Sequence, residues 1–136
     1  MSIAVRYEGH DRFEIGIRGH RVTVDQPADT GGDDGGPTPT ELFVASLAGC
    51  VGFYAERFLR RHDLPVDGLE VWSDYEMSED RPARVSSVQI EVVTPTSLLP
   101  SRNEALRQVV EHCTVHNSIR LAPDIRVSFA ARERAA

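Results

Sequence analysis

Lysine is absent from this chain: all 15 of its basic residues other than histidine are arginine. That excludes Schiff-base catalysis and a phosphate-binding loop closed by Gly-Lys-Ser/Thr. Basic residues are also outnumbered, 15 against 21 acidic ones, for a net charge of -6. The concentrated positive patch of a nucleic-acid surface is therefore not expected. The opening residues, Met1 to Tyr7, hold no basic region followed by an apolar core, so no secretory signal is expected. The most apolar run, Leu42 to Ala55, is shorter than the about 20 residues a membrane span needs. These absences predict a soluble, cytoplasmic protein that binds neither nucleic acid nor membrane. Cysteine is scarce too, with only Cys50 and Cys113. In a reducing compartment a pair is rarely a permanent staple, which leaves inert core fillers or reactive thiols.

What is present has the balance of a soluble globular domain, 40% hydrophobic and 26% charged. The 136 residues are expected to form one domain, 1–136. Three short stretches of alternating apolar residues come first: Ile3 to Tyr7, Arg12 to Ile17 and Arg21 to Asp25. Turn residues separate them, predicting an antiparallel meander. Pro27 to Pro37, rich in Gly and Asp, is expected to be a mobile acidic loop, either a lid or a connection. It lacks a Gly-x-Gly-x-x-Gly pattern, so no phosphate cradle is expected.

The strongest local signal follows. Thr38-Pro39-Thr40-Glu41 offers a capping residue, proline at the first helical position and a glutamate three places after the cap. The pattern stays helical to about His62, and Leu64-Pro65 ends it. From Leu42 to Ala55 this helix is apolar or small on every side, and such a helix must be buried all round. A dimer packing it at its centre is the natural solution, with Ala45, Ser46, Ala48, Gly49 and Gly52 permitting close approach. Strands are expected at Leu69 to Met77 and Val85 to Val93. A second capping box, Ser101 to Glu104, starts a helix that ends near Cys113, and Ile125 to Ala130 reads as a final strand. The order is that of an α+β fold. The Ala/Arg tail, Arg132 to Ala136, is expected to fray.

Cys50 lies in mid-helix beside Gly49 and Gly52. Glycine costs about 1 kcal/mol inside a helix, so two of them suggest a close approach there. A small core residue at a helix crossing would account for Cys50 equally. Around Cys113 three readings stay open: a metal site with His112 and His116, a Cys113–His116 nucleophile pair, and a buried cysteine at a helix end.

Taken together, the run Gly36-Pro37-Thr38-Pro39-Thr40-Glu41-Leu42-Phe43-Val44-Ala45-Ser46-Leu47-Ala48-Gly49-Cys50 resembles the first-cysteine signature of the OsmC/Ohr family. Cys113-Thr114-Val115-His116-Asn117-Ser118-Ile119 resembles its second-cysteine segment, with Thr114 where proline often stands. The resemblance, to an OsmC-like branch, implies antiparallel sheets wrapped around central helices in an intertwined homodimer. It also implies a thiol peroxidase acting on organic hydroperoxides, with Cys50 peroxidatic, Cys113 resolving, an external dithiol as reductant and no cofactor or metal. Phe43, Phe53 and Tyr54 would line an apolar pocket for the substrate. Peroxidase members hold the thiolate through a glutamate and an arginine. The family's glutamate position is Thr40 here and the glutamate is Glu41; Arg12 is the first choice of arginine, with Arg18 and Arg21 as rivals. Glu41 lies about 14 Å along the helix from Cys50, so it could act only on a partner's site. That shift leaves a second expectation, a ligand-binding or redox-sensing stress-response dimer with little peroxidase activity.

Overall fold

Thr38 starts the longest helix through the expected capping box. Its backbone is extended, its hydroxyl accepts from the Glu41 amide at 3.1 Å, and Glu41 Oε1 accepts from the Thr38 amide at 2.8 Å. Pro39, which has no amide hydrogen to satisfy, takes the first helical position. In the computed structural model, which describes residues 1–132, this helix is α1, Pro39–Arg61. The Leu64 amide closes its end on the Leu59 carbonyl at 2.9 Å. The tail expected to fray lies outside the described residues from position 133 onward.

Before α1 come β1 (Ile3–Gly9), β2 (Arg12–Ile17) and β3 (His20–Val24), an antiparallel sheet in the order β1-β2-β3. The register pairs Val5 with Ile15 and Phe13 with Val24. After α1, β4 (Glu70–Met77) and β5 (Val85–Val93) form a separate antiparallel hairpin. Its alternation is that of a half-buried sheet: Val71, Val88, Ile90 and Val92 face the cores on α1, while Trp72, Gln89 and Glu91 face out. Two short helices complete the chain, α2 (Pro100–Val110) and α3 (Thr114–Arg120). The α+β class is therefore as expected from the order of elements.

Two sequence expectations fail. The capping box at Ser101 does not form; Leu99 is the N-cap and Pro100 occupies the first helical position, which moves Ser101 inside the first turn. Ile125 to Ala130 forms no strand, and Ile125, Val127 and Phe129 are exposed by 77%, 76% and 95%. A strand exists only against a neighbour, and within one chain this segment meets none.

Packing divides the elements into two groups. α1 gathers α2, α3, β4 and β5 around it, whereas the meander packs chiefly on itself. α1 buries Val44, Leu47, Val51, Ala55, Phe58 and Leu59, all but Val44 in two apolar clusters. Its other side stays open, with Phe43 and Phe53 exposed by 44% and 53%, so burial all round is not achieved within one chain. By length and composition α1 could also cross a bilayer; here one face of it forms the core.

The segment expected to be a mobile loop is tied down instead. The Asp25 carboxylate accepts from the amides of Gln26 at 2.7 Å and Gly35 at 2.9 Å, and the Asp25 amide donates to the Pro37 carbonyl at 3.1 Å. A side chain at Gly36 would collide with the Thr23 carbonyl, so glycine is required for the loop to close against β3.

Candidate functional site

Cys50 is carried on α1, half-buried, on the side that meets α3. Cys113 is the N-cap of α3, with an extended backbone at φ -66° and ψ 155°, and is fully buried. The two sulfurs are free and share one apolar cluster with Leu47, Val51, Val88 and Val110. Burial pushes the Cys113 thiol above its ordinary value; the His116 amide works against that rise, and the Cys50 side chain adds to it. Cys113 is therefore a neutral thiol near pH 7 and can donate its S–H to the Cys50 sulfur.

The junction has a second bond that the sequence reading missed. Tyr54, one turn after Cys50, has its phenol oxygen 2.9 Å from the Thr114 hydroxyl, next to Cys113. This pair fastens the first turn of α3 to α1 beside both thiols. Spacing held the clue, since i+4 places Tyr54 on the same face as Cys50. The two glycines behave differently from each other. A Cβ at Gly52 would make ordinary contact with Val71 Cγ2 at 3.5 Å, and one at Gly49 would meet nothing within 4 Å. Close approach within the chain thus explains neither, and Gly49 looks onto the open face.

The other named residues sit elsewhere. Glu41 is occupied by the capping box at Thr38. Arg12 lies beside Asp25 and Gly35, and its Nε is buried without a hydrogen-bond partner. Asp25 is held below the usual carboxylate range, first by the Gly35 amide, with burial opposing and the Arg12 charge contributing least. Arg18 is exposed in the β2–β3 turn, and Arg21 is exposed with its Nε 3.8 Å from Glu14. The chain thus brings Cys50 and Cys113 together but holds Arg12 at Asp25 and Glu41 at Thr38.

The structure also bears on the alternatives at Cys113. Among the described residues no group of three His, Cys, Asp or Glu side chains could hold a metal, so His112, Cys113 and His116 do not converge. The His112 ring is tied to the Gln108 carbonyl at 2.6 Å. His116 offers Cys113 its backbone amide, while the residue lines a neighbouring cavity. A raised thiol pKa is moreover the opposite of what an activated Cys–His nucleophile requires.

Two concavities flank the sulfurs along the α1–α2 seam. One, of about 640 Å³, is walled by Phe43, Leu47, Val51, Val110 and Ile119, with Leu47 and Val51 shared with the cysteine cluster. Phe53 and Tyr54, expected beside Phe43 in one pocket, line the other concavity. The first is open, large enough for an organic molecule, and also carries Asn103, Arg107, Glu111 and His116 on its wall; neither cysteine lines it.

A family model described as OsmC-like protein matches residues 31–128, well over half of the chain. Among solved structures, similarity extends to an osmotic-stress and detoxification response protein of Psychrobacter arcticus 273-4, at 24% identity over 87% of each chain and a TM-score of 0.80. The organic hydroperoxide resistance protein OsmC of Legionella pneumophila is similar at 19% identity, over 88% of this chain and 90% of that one, with a TM-score of 0.65. The organic hydroperoxide resistance protein OhrB of Bacillus subtilis is similar at 20% identity, over 88% and 91%, with a TM-score of 0.64. No curated protein sequence gives a match. At these identities the structural likeness speaks for the fold, and the family model, spanning both cysteines, speaks for the lineage: this chain belongs to the OsmC-like family.

Proposed function

We propose that the protein is a thiol-dependent peroxidase that reduces organic hydroperoxides, working as a cytoplasmic homodimer with an external dithiol as reductant. The observation that carries this reading is the meeting of two free sulfurs, Cys50 and Cys113, in one apolar cluster that shares Leu47 and Val51 with an open cavity. In the first step the Cys50 sulfur, as thiolate, attacks the peroxide oxygen. The S–O bond forms as the O–O bond breaks, and the alkoxide takes a proton to leave as an alcohol. The Cys113 thiol then attacks the sulfenic sulfur; the S–S bond forms, the S–OH bond breaks, and the thiol proton leaves with the hydroxyl as water. The dithiol returns two electrons and two protons through a mixed disulfide. A neutral Cys113 suits this order, because it does not compete for the peroxide.

The dimer is supported by surface area. A compact 15.1 kDa monomer exposes about 7,100 Å² on the usual scaling, against 10865 Å² here. The excess, roughly 3,800 Å² per chain and so about 7,600 Å² for a pair, is at the upper end of the interfaces of obligate dimers. Intertwining would also supply what a single chain lacks at Cys50, since Arg12 and Glu41 could approach only from the partner.

The test is consumption of cumene hydroperoxide in the presence of dithiothreitol. Cys50→Ser is expected to lower the rate by about 100-fold or more, and Cys113→Ser to leave a Cys50 sulfenic acid trappable by dimedone. Unchanged consumption by Cys50→Ser would remove the assignment. A second reading, a ligand-binding or redox-sensing dimer with little peroxidase activity, is favoured by Glu41 and Arg12 being engaged at Thr38 and Asp25. It predicts that the wild type consumes peroxide no faster than the double serine variant.

A further inference from the structure

The second concavity on the α1–α2 seam is lined by neither Cys50 nor Cys113. It encloses about 680 Å³, within the range of about 300–1,000 Å³ typical of small-molecule sites. One wall is apolar, made by Phe53, Tyr54, Phe58 and Val109. The rim is basic: Arg57, Arg61, His62 and His112 all line it, and among the described residues no carboxylate does. In a chain of net charge -6, four cationic or ionisable nitrogen groups around one aromatic wall are a concentration that the composition does not predict.

The rim groups are set toward a ligand. His62 Nδ1 lies 2.8 Å from the Phe58 carbonyl, and His112 Nδ1 lies 2.6 Å from the Gln108 carbonyl. A carbonyl can only accept, so each ring carries its proton on Nδ1 and leaves Nε2 unused. The His62 ring is further fixed against Phe58, centroid to centroid at 4.2 Å. The Arg57 guanidinium carbon sits 4.7 Å from the centre of the Phe53 ring, which holds its charge over the apolar wall. Its one acidic neighbour, Glu56, is 3.9 Å away and bonds Arg60 more closely. Arg61 takes part in no ion pair among the described residues.

We propose that this groove binds an amphipathic carboxylate of medium chain length, its head at Arg57 and Arg61 and its chain along Phe53, Tyr54 and Phe58. A neutral apolar ligand would leave the basic rim unused, and a small inorganic anion would leave the aromatic wall unused. Arginine is suited to the head because its planar fork matches a carboxylate's two oxygens. The groove borders the open face of α1: at 100° per residue Tyr54 and Arg61 lie about 120–180° round the helix from Ala45 and Gly49, whereas Phe53 lies about 40–80° from them. The inference goes beyond the thiol chemistry and stands apart from it, because a saturated carboxylate carries no peroxide.

Isothermal titration calorimetry on the reduced full-length protein decides it, with sodium octanoate, 1-octanol and sodium acetate as probes. Octanoate is expected to bind, and 1-octanol and acetate each about 10-fold or more weaker, because each lacks one half of the recognition. Arg57→Gln combined with Arg61→Gln should weaken octanoate about 10-fold or more. The Arg57→Lys, Arg61→Lys pair, which keeps the charge but not the fork, should weaken octanoate less than the double glutamine variant; it also distinguishes lost recognition from lost folding. No heat with octanoate, equal binding of octanoate and 1-octanol, or wild-type affinity in the double glutamine variant each overturns the proposal. None of these outcomes bears on whether Cys50 reduces peroxides.

Discussion

Two hydroxyls and two sulfurs meet where α1 touches α3, and the hydroxyl pair sets the distance between the sulfurs' two carriers. Tyr54→Phe removes one partner of the 2.9 Å bond to Thr114 and nothing else of size. It should lower stability by about 0.5–1.5 kcal/mol, the usual net contribution of such a bond, read from the urea midpoint. Thr114→Val should cost a similar amount, and the double variant should cost less than the sum, because the two changes remove the same bond. An unshifted midpoint in both single variants would mean that the hydroxyls contribute nothing. Asp25 makes a separate prediction through pH. Its carboxyl titrates below its ordinary value of 3.8 in the folded chain, chiefly because the Gly35 amide donates to it. Unfolding therefore takes up a proton as the solution is acidified, and the stabilisation is complete above the unfolded pKa and lost as pH falls through the folded one. The Tm difference between wild type and Asp25→Asn should stay constant from pH 7 to about 5 and shrink below about 4. Cys113 has the opposite sign. Its thiol is raised above 9.0, so its contribution holds below about 9 and fades as pH rises beyond that.

At the scale of elements, legibility followed how local each cause is. α1 was readable because its capping box, its proline and its stop all lie within its own sequence, and Thr38, Glu41 and Leu64 perform those roles. Thr38→Ala should therefore cost about 1 kcal/mol, measured by thermal unfolding. Glu41→Gln should cost less, since an amide oxygen can still accept from the Thr38 amide. A large loss of peroxidase rate in Glu41→Gln with stability intact would show that the residue works on a partner's site as well as on its own cap. The α2 start was misread because two local signals competed one residue apart, and Pro100 prevailed over Ser101. α3 was not foreseen because its N-cap is Cys113, a residue outside the capping set, with no side-chain bond to the first turn. The two cysteines could be named from sequence, but their meeting could not be derived from spacing. It depends on α3 folding back onto α1, a contact between residues more than sixty places apart.

The whole molecule poses the question that neither residues nor elements answer: what covers its apolar surface. Ile3, Val5 and Tyr7 on β1, Phe43 and Phe53 on α1, and Ile125, Val127 and Phe129 in the tail are all exposed. The segment Ile125 to Ala130 alternates apolar and polar residues as a half-buried strand does, yet it pairs with no strand among the described residues. The described residues thus lack a cover for α1, a core for the meander and a partner for the segment Ile125 to Ala130, and a second copy would supply each of these with the pieces the first leaves over. Gly49 offers the cleanest perturbation, because a side chain there meets nothing within 4 Å of its own chain and should favour the isolated helix by up to about 1 kcal/mol. If two α1 helices pack across this stripe of small residues, Gly49→Leu must push them apart. The variant should then sediment with a substantially higher fraction of monomer than the wild type at equal concentration, although its helix is intrinsically stronger. A wild type that sediments as a monomer at micromolar concentration, or a Gly49→Leu variant as dimeric as the parent, would place the interface elsewhere than on this face.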